Sequence, residues 1–220
     1  MTGTQAVQPG RHEGRSRAVR RTWRTDPLTA YRLVSDVVAT AEHSTELLEV
    51  AWDDPVDDDL PAVGDRFHAR NRMGSTQWTS TATVVDADPG RRFAFAVGPP
   101  QRPTAVWSFD LTGTDAGDAQ QTTVAYTVVL GSGPSLFDTI RHLEPAAYDA
   151  VVEGRLDGFA SSMAHLLDAL ADGEEQRRGR RPAPRAAGPG DRVPGGAAGD
   201  AGPDQGRVRP SGAGRAGWPA

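Results

Sequence analysis

Residues 64–97 read GDRFHARNRMGSTQWTSTATVVDADPGRRFAFAV, and they contain the pattern that decides the fold. Basic residues occupy every second position from 66 to 72, and the positions between them hold Phe67, Ala69, Asn71 and Met73. Successive side chains of a β-strand point to opposite faces, so this run predicts a half-buried strand with a cationic outer face. The next run alternates in the same way, with Trp78, Ser80, Ala82 and Val84 on the inner face. Asn71 and Ser80 are therefore polar residues on inner faces, which suits either a ligand pocket or a hydrogen bond between the two.

Further elements lie on both sides of this stretch. Strands are predicted at 16–25, 47–54, 65–73, 77–87, 91–98, 104–113 and 121–130, with Gly, Pro and Asp residues in the turns between most of them. Asp26 and Pro27 predict the start of a helix that ends near residue 41. Residues 138–172 carry apolar side chains at spacings of three and four, which predicts a long helix that Pro145 separates from a short first segment. No crossover helix lies between the later strands, so the sheet should be antiparallel.

Composition divides the 220 residues into three parts. The acidic residues concentrate in 25–173, both ends are basic, and the whole chain has a net charge of −5. We predict a disordered N-terminal arm over 1–15, a folded domain over 16–173, and a disordered tail rich in Arg, Gly, Pro and Ala over 174–220, which has few large apolar residues to bury. No apolar run approaches the roughly 20 residues that span a bilayer, so we expect a cytoplasmic protein without a membrane span.

Several kinds of chemistry are excluded or disfavoured by the sequence. There is no cysteine, so disulfides and thiolate sites are excluded. The motif DDPVD at 53–57 matches an aspartate-rich metal motif, but Pro55 follows a strand and favours a solvated loop. The five histidines show no metal-ligand spacing. His12 lies in the predicted arm, and His68 lies on the predicted outer face of its strand. We therefore expect no metal and no cofactor, and we expect the Arg-rich tail to be solvated rather than bound to nucleic acid.

The order of elements and several motifs resemble a known superfamily. DPLTAYRLVSDV after the first strand, VGDRFHARNRMG, VVDADPGRRFAF, AVWSFDL and TTVAYTV before the long helix carry this resemblance. Over about residues 16–172 the chain resembles the START-like helix-grip proteins and, among them, the bacterial SRPBCC or polyketide cyclase/dehydrase group. The resemblance implies an α+β fold of order β-α-β6-α, in which a curved antiparallel sheet of about seven strands surrounds the long C-terminal helix and a cavity.

The resemblance also implies where a ligand would bind. The expected ligand-binding residues are inward-facing side chains of the strands and the helix: Phe67, Asn71, Trp78, Ser80, Phe93, Phe95, Trp107, Phe109, Tyr126, Tyr148, Val152 and Phe159. We interpret the protein as binding a hydrophobic small molecule, lipid-like or polyketide-like. Two alternatives stay open: a polyketide cyclase or dehydratase that uses acid–base steps in the same cavity, and a protein-interaction module with a filled core. His142 and Tyr148 are candidate acid–base groups, but no pair has the spacing that would assign catalysis, so binding without turnover is favoured.

Overall fold

The computed structural model describes residues 12–56, 60–116 and 119–180, and within them seven strands and four helices. The strands are β1 (Ser16–Trp23), β2 (Leu47–Trp52), β3 (Arg66–Met73), β4 (Thr76–Asp88), β5 (Arg92–Val97), β6 (Ala105–Ala116) and β7 (Ala119–Leu130). The helices are α1 (Pro27–Ser35), α2 (Val37–Ala41), α3 (Leu136–Leu143) and α4 (Tyr148–Arg180). This arrangement confirms the predicted helix-grip fold, including the division of the C-terminal helical region around Pro145.

The strands form one antiparallel sheet in the order β1-β7-β6-β5-β4-β3-β2. Consecutive strands from β2 to β7 are neighbours, as short connections require, and β1 joins the free edge of β7. Gly74 and Gly90 occupy the β3–β4 and β4–β5 turns with φ of 60° and 78°, a backbone region that glycine adopts without strain. Val97, the last residue of β5, pairs with Ala82, so residues 76–80 of β4 extend beyond β5 and pair with β3 alone.

Helix α1 covers one end of the concave face. The Asp26 carboxylate accepts a hydrogen bond from the Thr29 N–H at 2.9 Å, and Pro27 holds the first helical position, as the sequence predicts. The helix buries Tyr31, whose ring meets that of Phe93 edge-on at 6.2 Å between centroids. The tightest part of the core therefore lies where α1 meets the central strands.

The single helix predicted up to residue 41 is wrong, because the segment forms two helices. The backbone turns at Asp36, which has a ψ of 80° and ends α1. Its carboxylate then accepts a hydrogen bond from the Ala39 N–H at 3.0 Å and caps α2. An aspartate offers the backbone a local partner outside the helix, and this competition favours a new helix start.

The domain boundaries also differ from the prediction at both ends. Helix α4 continues to Arg180, so residues 174–180 are helical, in a run of good helix formers where Glu174 and Arg177 pair at 3.3 Å. At the other end, the Gly14 N–H donates to the Leu130 carbonyl at 2.8 Å, so residues 12–15 belong to the folded domain and not to an arm. The predicted disorder of residues 1–11 and 181–220 lies outside the described residues.

Candidate functional site

The concave face of the sheet is buried at one end and open at the other. Near α1, Phe93 and Phe109 are no more than 2 % exposed. Towards the β5–β6 connection, Phe95 and Trp107 are only half-buried, although both lie on central strands. An inward-facing aromatic residue on a central strand keeps contact with solvent only where nothing fully covers it. We call this open part the aromatic groove, and its half-buried lining is Leu47, Trp52, Ser80, Phe95, Val97, Trp107 and Phe159.

Helix α4 presents two parallel stripes to the sheet. The buried stripe consists of Tyr148, Val152, Leu156, Met163, Leu167 and Leu170. A second, half-buried stripe consists of Arg155, Phe159, Ser162 and Leu166, again at spacings of three and four. The ring of Phe159 meets that of Trp107 edge-on at 5.0 Å between centroids, so the second stripe faces the aromatic groove.

A connected set of aromatic rings lines the groove and continues into the core beneath it. Phe67 lies 5.2 Å from both Trp52 and Phe95, measured between ring centroids. Trp107 lies 5.5 Å from Tyr126, which in turn stacks on Phe109 at 3.9 Å. Such a surface offers dispersion contacts and ring stacking to a flat apolar molecule. The predicted residues Phe67, Phe93, Phe109, Tyr126 and Val152 are buried beneath this surface and support it.

Asn71 and Ser80 are satisfied by one another. The Asn71 side-chain amide donates to the Ser80 hydroxyl at 3.0 Å and to the Ala69 carbonyl at 3.0 Å. The predicted hydrogen bond between these two polar residues is therefore present in the structure. The pair joins β3 to β4 where they extend beyond β5. There the side-chain amide of Asn71 on β3 donates to the hydroxyl of Ser80 on β4, so both polar groups have a partner within the hairpin.

Trp78 lies on the inner face, as predicted, but near the end of the extending hairpin. It pairs with Asn71 across the strands and remains 38 % exposed, because β5 does not reach this part of β4. The basic residues of β3 are exposed on the opposite face, as the alternation predicts. Among them, His68 places Nε2 2.8 Å from the Asp53 carboxylate, so the first aspartate of DDPVD pairs with the outer face of the sheet. Asp57 lies outside the described residues.

Tyr148, predicted to line the cavity, has its hydroxyl engaged elsewhere. It lies 2.7 Å from Nδ1 of His12, which is buried and packs on Phe137 at 5.2 Å between rings. The placement of His12 in a disordered arm is therefore wrong, because the segment before β1 packs over the start of α4. Burial lowers the pKa of His12 and raises the pKa of Tyr148, so both side chains are neutral at pH 7.

The sequence analysis missed one charged pair on the groove side of α4. Arg155 donates to both carboxylate oxygens of Glu46, at 2.5 and 2.6 Å, and its guanidinium carbon lies 4.3 Å from the centre of the Phe159 ring. Glu46 immediately precedes β2, so the pair connects α4 with the far edge of the sheet. The spacing of positions 155, 159, 162 and 166 indicates a second helical stripe. Arg155 is nevertheless not among the predicted ligand-binding residues, because those were apolar or polar uncharged side chains.

The structure places the acid–base candidates from the sequence away from the half-buried lining of the groove. Burial raises the pKa of Tyr126 far above its usual range, so its hydroxyl stays protonated and acts only as a weak donor. Of the two acid–base candidates from the sequence, His142 is exposed on α3 and Tyr148 is buried with its hydroxyl on His12. In the described parts of the chain, no group of three or more His, Asp or Glu side chains is arranged to hold a metal ion.

Two small clefts lie at the other end of α4. They have volumes of about 210 and 110 Å³ and are lined by Thr22, Trp23, Arg24, Thr25, Gln120, Ala171, Glu174, Glu175 and Arg178. None of the predicted ligand-binding residues belongs to either cleft. Among residues 12–180 as described, no helix is long and apolar enough to span a membrane.

Comparison with known proteins places the chain in a family. The family model for polyketide cyclase/dehydrase and lipid transport matches residues 15–168. Because this match covers more than half of the chain, the protein belongs to that family. A comparison with curated proteins gives no match.

Solved structures share the fold at low sequence identity. The di-domain ARO/CYC protein StfQ from the steffimycin pathway superposes with a TM-score of 0.56 and 12 % identity, covering 77 % of this chain and 53 % of StfQ. The Zhui aromatase/cyclase from a Streptomyces species gives 0.54 and 17 %, covering 76 % and 96 %. The polyketide cyclase-like protein Cgl2372 from Corynebacterium glutamicum gives 0.50 and 20 %, covering 74 % and 93 %. These similarities show the helix-grip fold.

Proposed function

We propose that the protein binds a hydrophobic, ring-containing small molecule in the aromatic groove. The observation that carries this proposal is the incomplete burial of Phe95, Trp107 and Phe159, which face one another between the central strands and α4. A filled core would bury side chains at these central positions as fully as it buries Phe93. Leaving large apolar surface in contact with water costs about 25 cal/mol per Å², and an apolar ligand would recover that free energy.

The aromatic lining favours flat molecules over flexible chains. Rings that approach a ligand edge-on or offset add about 0.5–1.5 kcal/mol per contact beyond the area that they bury. Family membership supports a small-molecule site between the sheet and the long helix. The groove lining has few ionisable groups, and this supports binding rather than turnover.

A titration with the neutral fluorophore N-phenyl-1-naphthylamine tests the proposal with the full chain. We expect saturable binding with one site per chain, and we expect Phe159→Ala to weaken it about tenfold, because the variant removes one wall of the groove. Leu143→Ala is the matched control, because Leu143 is 76 % exposed on α3 and away from the described groove lining. Absence of saturable binding, or equal weakening by both variants, would contradict the proposal.

Native mass spectrometry of the protein purified from its own host would identify the natural ligand. We expect a stoichiometric small molecule that is released on denaturation and carries at least one ring. Recovery of that molecule in chemically altered form after incubation would instead support the cyclase or dehydratase alternative. A chain that is empty and that also ignores the fluorophore would support the interaction module.

A further inference from the structure

Arg155 stands out among the groove-facing residues because it is charged. Its two terminal nitrogens each contact one oxygen of Glu46, and its planar head lies over the Phe159 ring. A guanidinium held in this way presents a flat fork, which binds two oxygens of a carboxylate or of a tetrahedral oxyanion. The cation is therefore oriented by the aromatic wall of the groove as well as by Glu46.

Arg155 differs from the other arginines that pair with α4. Arg17 and Arg21 lie on β1 and Arg15 directly precedes it, and all three pair with acidic residues on the opposite side of the helix. Among the described residues of the half-buried stripe, Arg155 is the single basic side chain. An anionic group on a ligand in the groove would thus meet one positive charge.

The Glu46 carboxylate is placed so that a ligand could replace it. Its side chain is 30 % exposed and that of Arg155 is 22 % exposed, so a displaced carboxylate regains water at once. The Glu46 backbone is held independently of its side chain, because its N–H donates to the Ser44 hydroxyl at 3.2 Å and its carbonyl accepts from the backbone N–H of Arg72 at 2.8 Å. Exchange of one carboxylate for another therefore requires only a rotation of the Glu46 side chain.

We infer that the aromatic groove selects ring-containing ligands that carry an anionic group, and that Arg155 binds that group in place of Glu46. This inference rests on the proposed function, because it assigns the class of ligand to the same groove. Glu46 then acts as an internal competitor that occupies the cation when the groove is empty. The competing explanation is that Arg155 and Glu46 are a structural tie between α4 and the start of β2.

Two fluorophores with the same ring skeleton separate these explanations. N-phenyl-1-naphthylamine is neutral, and 8-anilinonaphthalene-1-sulfonate carries one sulfonate on the same framework. With the full chain, we expect Arg155→Met to weaken binding of the sulfonate about tenfold and to change binding of the neutral probe less than twofold. We expect Glu46→Gln to strengthen sulfonate binding severalfold, because the competitor loses its charge, and to leave the neutral probe unchanged.

Arg20→Met is the matched control, because Arg20 is exposed on β1 and lies outside the groove. Circular dichroism checks that each variant is folded, and if Arg155→Met does not fold, the Glu46→Gln result decides alone. Equal shifts of both probes in the Arg155 and Glu46 variants would overturn the inference and show a structural tie. The inference would also be overturned if the neutral probe binds and Arg155→Met leaves the affinity for the sulfonate unchanged. Failure of both probes to bind the unaltered protein would contradict the proposed function itself.

Discussion

The two long sides of α4 are held in place by different interactions. On the β1 side the contacts are a series of ion pairs: Arg15 with Asp149, Arg17 with Glu153 and Asp157, and Arg21 with Asp168. On the groove side they are the Arg155–Glu46 pair and the edge-on contact of Phe159 with Trp107. The helix also approaches the sheet most closely at β1.

The two sides of the helix differ in how firmly they are joined to the sheet. Ion pairs spaced along β1 and α4 define the direction and register of the helix at one edge of the sheet. The groove side has one such pair, Arg155 with Glu46, and its other contacts are between half-buried rings. Buried and half-buried stripes on the same helix should therefore respond differently to substitution.

The largest expected effect separates the two stripes. Leu156→Ala removes a fully buried side chain and should lower the free energy of unfolding by about 3 kcal/mol, because the rigid core leaves a cavity. Leu166→Ala makes the same chemical change on the half-buried stripe and should cost about 1 kcal/mol. Urea unfolding measures both, and equal losses would show that the groove side is as tightly packed as the core.

Two buried tyrosines give the next comparison. Tyr148→Phe removes the partner of the His12 ring nitrogen and should cost about 1–2 kcal/mol of unfolding free energy, since a buried polar atom loses its hydrogen bond. Tyr126→Phe should cost less than about 0.5 kcal/mol, because no hydrogen bond to its hydroxyl is seen within the described residues. Chemical denaturation of both variants is the measurement, and a larger loss for Tyr126→Phe would contradict this assignment.

The buried His12 predicts a pH dependence of stability. Burial lowers the pKa of His12 from its ordinary value of 6.5, so the folded state favours the neutral ring. The charged groups around it are Glu13, Arg15, Asp138, Arg141 and, near Tyr148, Asp149. The stabilising contribution should be complete above about pH 6.5 and should be lost as the pH falls below that value, because the unfolded chain then binds the proton more readily.

Thermal unfolding between pH 5 and pH 8 tests this prediction. The melting temperature of His12→Phe should fall less steeply below pH 6.5 than that of the unaltered protein. His142→Phe, which changes an exposed histidine on α3, should retain the steep fall. Parallel curves for the unaltered protein and His12→Phe would show that His12 does not cause the effect.

The smallest expected effect belongs to the ion pairs on β1. Arg21→Met removes the 2.6 Å contact with Asp168, and because both side chains are more than one third exposed, the loss should be below about 0.5 kcal/mol. The difference from the unaltered protein should vanish in 1 M NaCl, where exposed charges are screened. A larger, salt-independent loss would mean that this side of the helix contributes more than orientation.

Much of the fold could be predicted from local patterns. The alternation of β3 assigned Phe67, Ala69 and Asn71 to the inner face and the basic residues to the outer face, and their burial confirms both assignments. Helix boundaries are harder to predict, because an aspartate at position 36 fits a continuous helix in the sequence pattern as well as the side-chain cap that divides it in the structure. The sequence does not predict the extension of α4 to Arg180, because the low hydrophobicity of residues 174–180 fits a disordered segment equally well.

The site was predicted less completely than the fold. The alternation along each strand identifies the inward-facing aromatic residues. It does not tell which of them remain half-buried, because exposure depends on what packs above each position. Phe93 and Phe95 share one face of β5, yet only Phe93 is covered by α1. Trp78 has the correct face, but its exposure follows from the length of β5.

By itself, the sequence determined the periods of the strands and helices, the face that each side chain occupies and the family, because these depend on near neighbours along the chain. Only the tertiary structure decided which polar atoms meet. His12 and Tyr148 are 136 residues apart, and Arg155 and Glu46 are 109 apart. Each hydrogen bond exists because the packing of whole elements brings distant segments within about 3 Å, a distance that no local pattern encodes.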